Sequence, residues 1–310
     1  MKAVRMDNFG DVTLQDIEIP KPKPDEVLVR VRASSINPVD YKIGNGMLSF
    51  LAKQPMPLVL GWDVAGDVIE TGAFSKAFNP GDRVFAMAEI GLDGTLAEYC
   101  VVKRDHLALL PESISYEDAG ALPMVLLTAW QALITEGNLH RNQRLLIQQG
   151  AGGVGHIAIQ LAKIMGAHVI VMTSSKNKAF VESLGADEVI DYEKQDVVSY
   201  LAEKPVDLVL ESLYGEAQTQ AIRVLKPGGK LVSISGLLPE TEAAAKEAGV
   251  DASFVFVQGD ASLLKRATEF IARGDIKPFI SQTISLTDFQ KGFDQSESGR
   301  TRGKIAVTMD

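Results

Sequence analysis

Three glycines, Gly150, Gly152 and Gly155, carry the spacing G-x-G-x-x-G, with Ala151, Gly153 and Val154 between them. Those residue types at that spacing suit a nucleotide pyrophosphate. Gly150 lets the backbone turn tightly, Gly152 removes the Cβ that would hold a phosphate away, and Gly155 lets a helix pack on a strand. The phosphates then face the open N–H groups and positive dipole end of the helix that follows. A second group with chemistry, Thr173-Ser174-Ser175-Lys176-Asn177-Lys178, begins about 18 residues after Gly155. Near this point an NAD site places an Asp or Glu on the ribose 2′-hydroxyl, whereas small polar and basic groups suit the 2′-phosphate of NADP. No acid occurs in the segment, and hydroxyls and two ammonium groups do, so NADPH is the expected cofactor. Ser175 also fits an ordinary helix N-cap, and spacing does not decide which lysine reaches the phosphate.

These groups need a strand, a turn and a helix to position them. Leu145, Leu146 and Ile147 enter the glycine turn as a buried strand, and Ile157, Ile159, Leu161 and Ala162 leave it at helical spacing. The alternation continues with strands at 144–149, 168–173, 187–191, 206–211 and 229–234. Helices are expected at 153–166, 176–184, near 195–203 and at 215–225. This pattern predicts an α/β fold with a doubly wound parallel sheet. Ahead of it, Val27, Val29 and Val31 alternate with Leu28, Arg30 and Arg32 as a half-buried strand. Further strands are expected at 64–70, 83–87, 96–102 and 106–110, punctuated by turns such as Asn79-Pro80-Gly81-Asp82. Many short strands suggest a closed or partly closed β unit. Ser115 and Asp118 form a capping pattern, and Pro123 opens a helix over 124–134. In the tail, Leu263, Leu264, Ala267, Phe270 and Ile271 mark a helix, Thr287 with Gln290 caps another, and 304–309 is a last strand.

The chain has 310 residues, 46% hydrophobic and 23% charged, enough for two domains. A net charge of −9 disfavours nucleic acid and anionic membrane as main partners. Cys100 is the one cysteine, and the start MKAVRMDNFG has no signal-peptide core, which together predict a reducing cytoplasm. No apolar run reaches the roughly 18 residues of a membrane span. Cys100, His106, His140, His156 and His168 never occur at ligand-like spacing, so no metal is expected. Without a metal to polarise an oxygen, the economical chemistry is hydride transfer to an acceptor whose own conjugation spreads the arriving charge, such as a quinone or an α,β-unsaturated carbonyl.

Several further motifs occur in order along nearly the whole chain. They are Asn37-Pro38-Val39-Asp40-Tyr41-Lys42, Gly61-Trp62-Asp63-Val64-Ala65-Gly66, Pro80-Gly81-Asp82-Arg83-Val84, Leu127-Thr128-Ala129-Trp130-Gln131-Ala132-Leu133, Lys226-Pro227-Gly228-Gly229 and Arg302-Gly303-Lys304-Ile305. With the glycine turn, they resemble the medium-chain dehydrogenase/reductase superfamily in its zinc-independent quinone oxidoreductase branch, and NPVDYK looks most like alkenal/one oxidoreductases and the reticulon-interacting mitochondrial relatives. The resemblance implies a GroES-like β-barrel catalytic domain over 1–117, completed by 258–310, and a Rossmann NADP-binding domain over 118–257. Zinc-dependent relatives carry Gly-His-Glu where this chain has Gly61-Trp62-Asp63. A quinone or enone acceptor would then lie between the domains beside the catalytic candidates Asn37, Tyr41 and Lys42.

For the cofactor, the resemblance places Gly152, Gly153 and Val154 at the pyrophosphate and Ser174, Ser175 and Lys178 near the 2′-phosphate. Tyr192 falls at the adenosine end, Ser235, Gly236 and Leu237 by the nicotinamide ribose, and Phe256 with Val257 beside the carboxamide. Lys42 stands where many relatives have a tyrosine near the nicotinamide; it reads either as a contact to ribose or acceptor oxygen or as a solvated loop lysine. Tyr41 reads as a proton donor or as a packed cleft residue. Asp40 would fix its loop, His156 reads as packed rather than acidic, and Phe50, Trp62 and Trp130 fit core or pocket equally. Relatives often form homodimers through Rossmann sheet edges, and 253–257 is an apolar segment suited to such an edge or to a buried strand. Two other functions remain open: an enoyl-thioester reductase, and a non-catalytic NADPH-binding redox sensor.

Overall fold

The computed structural model describes residues 1–309 and divides into two compact units, one formed by the chain up to Leu127 and from Gln258 onward, the other by Thr128–Val257. In the first unit, β1 (Lys2–Asn8) and β2 (Asp11–Asp16) form a hairpin with β4 (Leu58–Val59) on the far side of β1. The chain runs on through β3 (Glu26–Ile36), α1 (Pro38–Gly44), β5 (Asp63–Thr71), β6 (Arg83–Met87), β7 (Tyr99–Lys103), β8 (Leu107–Leu109) and α2 (Tyr116–Ala121). The alternation in β3 holds at the arginines but not at Leu28, which is buried like the valines on either side of it. Val27, Val29 and Val31 are buried with Val64, Val68, Val84, Ala86 and Cys100, while Arg30 and Arg32 are exposed. Each such valine contributes about 1.5–3 kcal/mol through burial. Gly120 lies so close to β3 that a Cβ there would stand 2.8 Å from the Ala33 carbonyl carbon, which seats α2 on this unit.

The boundary between the units falls within α3 (Pro123–Trp130), whose first turn holds the proline and belongs to the first unit. The second unit continues with β9 (Arg144–Ile147), α4 (Gly153–Ile164), β10 (His168–Thr173), α5 (Lys178–Ser183), β11 (Glu188–Asp191), α6 (Val197–Leu201), β12 (Val206–Glu211), α7 (Glu216–Arg223), β13 (Leu225–Ser233), α8 (Pro239–Ala248) and β14 (Asp251–Phe254). The six strands are parallel in the order β11-β10-β9-β12-β13-β14, the doubly wound arrangement expected. Leu146, Ile170, Ile190, Val209 and Leu231, one from each of five strands, are fully buried in one core layer.

The chain then returns to the first unit as α9 (Ala261–Arg273), β15 (Ile280–Ser285), α10 (Phe289–Glu297) and β16 (Lys304–Thr308). β16 pairs antiparallel with β3, Ile305 opposite Ile36, beside the stretch of β3 that pairs with β7. Two local expectations are corrected. Thr287 does not cap α10: its hydroxyl lies 2.6 Å from Ser285 Oγ, and Gln290 turns forward to Asp294. Of the segment 253–257 only the first two residues are strand, the end of β14 at the sheet edge, and Phe254 is exposed there.

Candidate functional site

The glycine turn joins β9 to α4 at the carboxyl ends of the parallel strands. Gln149 adopts φ +51°, an uncommon conformation for a side-chain-bearing residue, and its amide accepts from Ser212 Oγ at 3.3 Å. The three glycines have separable reasons. A Cβ at Gly150 would stand 2.0 Å from Val171 Cγ1, and one at Gly155 would stand 2.4 Å from Gln149 O. Packing alone demands both. At Gly152, the N-cap of α4, the nearest atom to a Cβ would be Gln149 O at 3.2 Å, and nothing else lies within 4 Å. The protein leaves that face open, which fits a pyrophosphate resting on the N–H groups of Gly153 and Val154. His156 is fully buried, with Nδ1 3.0 Å from Gly152 O, and secures the turn rather than facing a substrate.

At the end of β10, Thr173 and Ser174 are buried and Ser175 is exposed. Ser175 does not act as an N-cap. Ser174 occupies that position, ahead of a single 3₁₀ turn, and the Ser175 hydroxyl donates to Asp191 Oδ2. Lys194 Nζ donates to Ser175 Oγ at 2.7 Å and lies 3.2 Å from Asp191. Lys178 extends into solvent with Nζ 3.8 Å from Glu182. Tyr192 is exposed on the rim of a shallow pocket shared with Met172, Lys194, Gln195 and Gln220. Asp191 and Lys194 were not visible as site residues in the sequence, because only strand pairing brings them to Ser175.

A further organising residue is Glu211, the last of β12. It is fully buried and its carboxylate accepts from the backbone of Leu213 (2.5 Å) and Tyr214 (2.7 Å) through Oε1, and from Gln218, Ser233 (2.5 Å) and Ser235 (3.0 Å) through Oε2. One carboxylate therefore fixes both the loop after β12 and the loop holding Ser235, Gly236 and Leu237. Tyr214 sits at φ +60° with its ring beside Gly236. Phe256 and Val257 follow β14, half-buried and buried respectively, and Phe256 pairs with the ring of Phe254.

In the first unit one of the three catalytic candidates, Asn37, belongs to a buried polar cluster at the junction of β3 and α1, and no side-chain hydrogen bond or ion pair among the described residues joins Tyr41 or Lys42 to it. Asn37 caps α1 without using its side chain for the cap. Its amide instead donates to Asp63 Oδ2 at 2.7 Å and accepts from Lys304 Nζ at 2.5 Å. Asp63 also takes Ser35 Oγ and the Met124 N–H, each at 2.7 Å, and lies 3.6 Å from Lys304. Lys304 reaches this point because β16 starts opposite the end of β3, and it donates to Ile36 O as well. Burial pulls its ammonium pKa down. Asp40 accepts the Asn37 N–H at 2.7 Å while its Oδ1 is buried without a partner, and burial pushes its carboxyl up to about 8.

Tyr41 lines a small hollow with Val12, Asn45, Phe293 and Glu297; partial burial and then the Glu297 charge raise its phenol pKa. Lys42 is half-buried and makes no side-chain hydrogen bond or ion pair among the described residues. Trp62 and Trp130 are core residues, whereas Phe50 is 77% exposed. Cys100 is buried among valines, which pushes its thiol up to about 12. Among the described residues no three His, Cys, Asp or Glu side chains converge as metal ligands, and no helix is long and apolar enough to cross a membrane.

Two family profiles match the chain: the alcohol dehydrogenase GroES-like domain at residues 23–112 and the zinc-binding dehydrogenase at 184–307. A mitochondrial NAD(P)H oxidoreductase of Danio rerio is 33% identical, the match covering 92% of this chain and 84% of that protein. A chloroplastic NADPH-dependent alkenal/one oxidoreductase of Arabidopsis thaliana is 34% identical over 99% of this chain and 79% of its own length. Among solved structures, the quinone oxidoreductase of Coxiella burnetii superposes with a TM-score of 0.94 at 32% identity, covering 100% of this chain and 99% of its own.

Proposed function

Because the chain belongs to the quinone oxidoreductase branch of the medium-chain dehydrogenase/reductase superfamily, we propose that it reduces quinones or α,β-unsaturated carbonyls with NADPH. The observation that carries this reading is Gly152, where an added Cβ would meet a single atom, Gln149 O at 3.2 Å, on a turn whose other two glycines are tightly packed. NADPH would supply a hydride to the acceptor. Gly153 and Val154 would hold the pyrophosphate by backbone N–H groups, while the Gly152 N–H is kept by Gln149 O at 2.8 Å and its missing side chain leaves room for the phosphates. Ser174, Ser175 and Lys178 face the 2′-phosphate. Glu211 orders the Ser235–Leu237 loop for the nicotinamide ribose.

Asn37 is a positioning residue in this reading, since both ends of its amide are committed inside the cluster. Lys42, free at its ammonium among the described residues, is the group assigned to stabilise negative charge arriving on the acceptor oxygen. Tyr41 remains a neutral phenol across the physiological range and so retains a proton to give. Zinc independence belongs to the same proposal. It is supported by Asp63, whose carboxylate is already engaged by Ser35, Asn37, Met124 and Lys304. A homodimer joined through the β14 edges and a cytoplasmic setting complete the reading; sedimentation equilibrium showing only monomer at micromolar concentration would refute the first, and a fluorescent fusion found in an organelle the second.

The test mixes purified protein with NADPH or NADH and a panel of 1,2- and 1,4-quinones, short enones and a crotonyl thioester, with and without chelator. Chelator-insensitive oxidation of NADPH by quinones or enones is expected. Nucleotide binding without oxidation by any acceptor would overturn the enzymatic reading, and exclusive use of the thioester would replace the substrate class.

A further inference from the structure

The segment after β10 contains no acid, yet the fold supplies one. Thr173 at the end of β10 is the register partner of Asp191 at the end of β11, so the carboxyl ends of two parallel strands set Asp191 beside Ser175. The turn after β11 then folds back: Lys194 N–H donates to Asp191 O at 3.0 Å, and Glu193 N–H donates to Asp191 Oδ1 at 3.1 Å. That uses one carboxylate oxygen for the turn. The other, Oδ2, is shared by the Ser175 hydroxyl and the Lys194 ammonium. Ser175 is thus held between a cation and an anion at the place where an adenosine ribose carries either a phosphate or a hydroxyl.

We infer that Asp191 and Lys194 set the discrimination between 2′-phosphorylated and 2′-hydroxyl nucleotides. The inference rests on the nucleotide reading of the glycine turn. Lys194 is a phosphate contact: with a 2′-phosphate bound, its ammonium and the Ser175 hydroxyl turn from Asp191 to phosphate oxygens. Asp191 acts against the phosphate, since a carboxylate stands close to a group carrying nearly two negative charges. Toward an unphosphorylated nucleotide the same carboxylate is an acceptor for the 2′-hydroxyl. Asp191 therefore keeps NADH in competition at a site whose serines and lysines favour NADPH. The acid that an NAD site carries on its second strand is here delivered by the third.

The test measures binding rather than turnover. Adenosine 2′,5′-bisphosphate and AMP are titrated calorimetrically into the full chain, the Asp191→Asn variant and the Lys194→Ala variant. The Lys194 side chain is exposed and that of Asp191 is partly buried, so thermal melting checks the folding of both variants. Lys194→Ala is expected to weaken the bisphosphate about fivefold and leave AMP unchanged, the size of an exposed charge contact. Asp191→Asn is expected to tighten the bisphosphate about threefold and weaken AMP by a similar factor. Equal shifts for both ligands, or none, would overturn the inference while leaving the cofactor reading intact. Should one variant fail to fold, the other decides by the same criterion. Failure of the unsubstituted protein to bind either ligand would instead overturn the cofactor reading itself.

Discussion

The three glycines of the turn make different demands on the chain, and single methyl groups separate them. At Gly150 an added methyl meets Val171 inside the sheet, so Gly150→Ala is expected to destabilise the protein by about 1–3 kcal/mol through overpacking. At Gly152 the methyl would meet one atom, Gln149 O at 3.2 Å, so Gly152→Ala is expected to lose less stability than Gly150→Ala but to bind NADPH at least about tenfold more weakly. Melting curves and fluorescence titration of both variants check this pair; a Gly152→Ala protein that binds normally would contradict it. Asp40 gives a second residue-scale prediction. Its folded pKa of about 8 lies above the ordinary 3.8, so the folded state holds a proton that the unfolded state has lost between those values. Its contribution to stability is full below about pH 4 and is lost as pH rises through 8. Relative to Asp40→Asn, which cannot lose that proton, the unsubstituted protein is expected to lose at least about 2 kcal/mol between pH 4 and 9 in urea melts. Parallel pH profiles would show that Asp40 is ionised in the fold.

At the scale of elements, Glu211 ties two loops to one strand end. Replacing it with Gln leaves one accepting oxygen for five donors and adds an amide that faces them, so a loss of about 2 kcal/mol is expected. The loops at 212–215 and 233–237 should exchange amide hydrogens faster, and NADPH should bind more weakly while adenosine 2′,5′-bisphosphate, which does not reach those loops, binds as before. Equal weakening of both ligands would mean that Glu211 supports the whole sheet rather than the nicotinamide end. The strand, turn and helix around the glycines were legible in the sequence because the apolar period changes at Gly150 from a continuous buried run to helical spacing. The hairpin of β1 and β2 was not. Its turn passes through Phe9 and a left-handed Gly10, and β2 is only partly buried on alternate residues, so no clean alternation marks it. Ser175 shows the limit of local reading: its neighbours fit an N-cap, but a partner 16 residues away takes its hydroxyl.

At the scale of the whole molecule, the order of motifs made both units legible, while the contacts that define their sites came from distant pairings. Asn37 and Lys304 are 267 residues apart and meet only because the last strand returns to β3. No periodicity within either segment predicts that meeting. Asp191 and Lys194 were hidden for the same reason, since register between parallel strands is set by the sheet and not by the residues flanking the turn. In the proposed reaction the protein passes a hydride from NADPH to a conjugated acceptor without a metal. NADPH carrying deuterium at both positions of its nicotinamide C4 is mixed with chelator-treated protein and a short enone, and the product is analysed for label. A saturated product carrying one deuterium on the β-carbon, formed at the same rate as without chelator, is expected; product without the label, or no product until metal is restored, would refute metal-free hydride transfer.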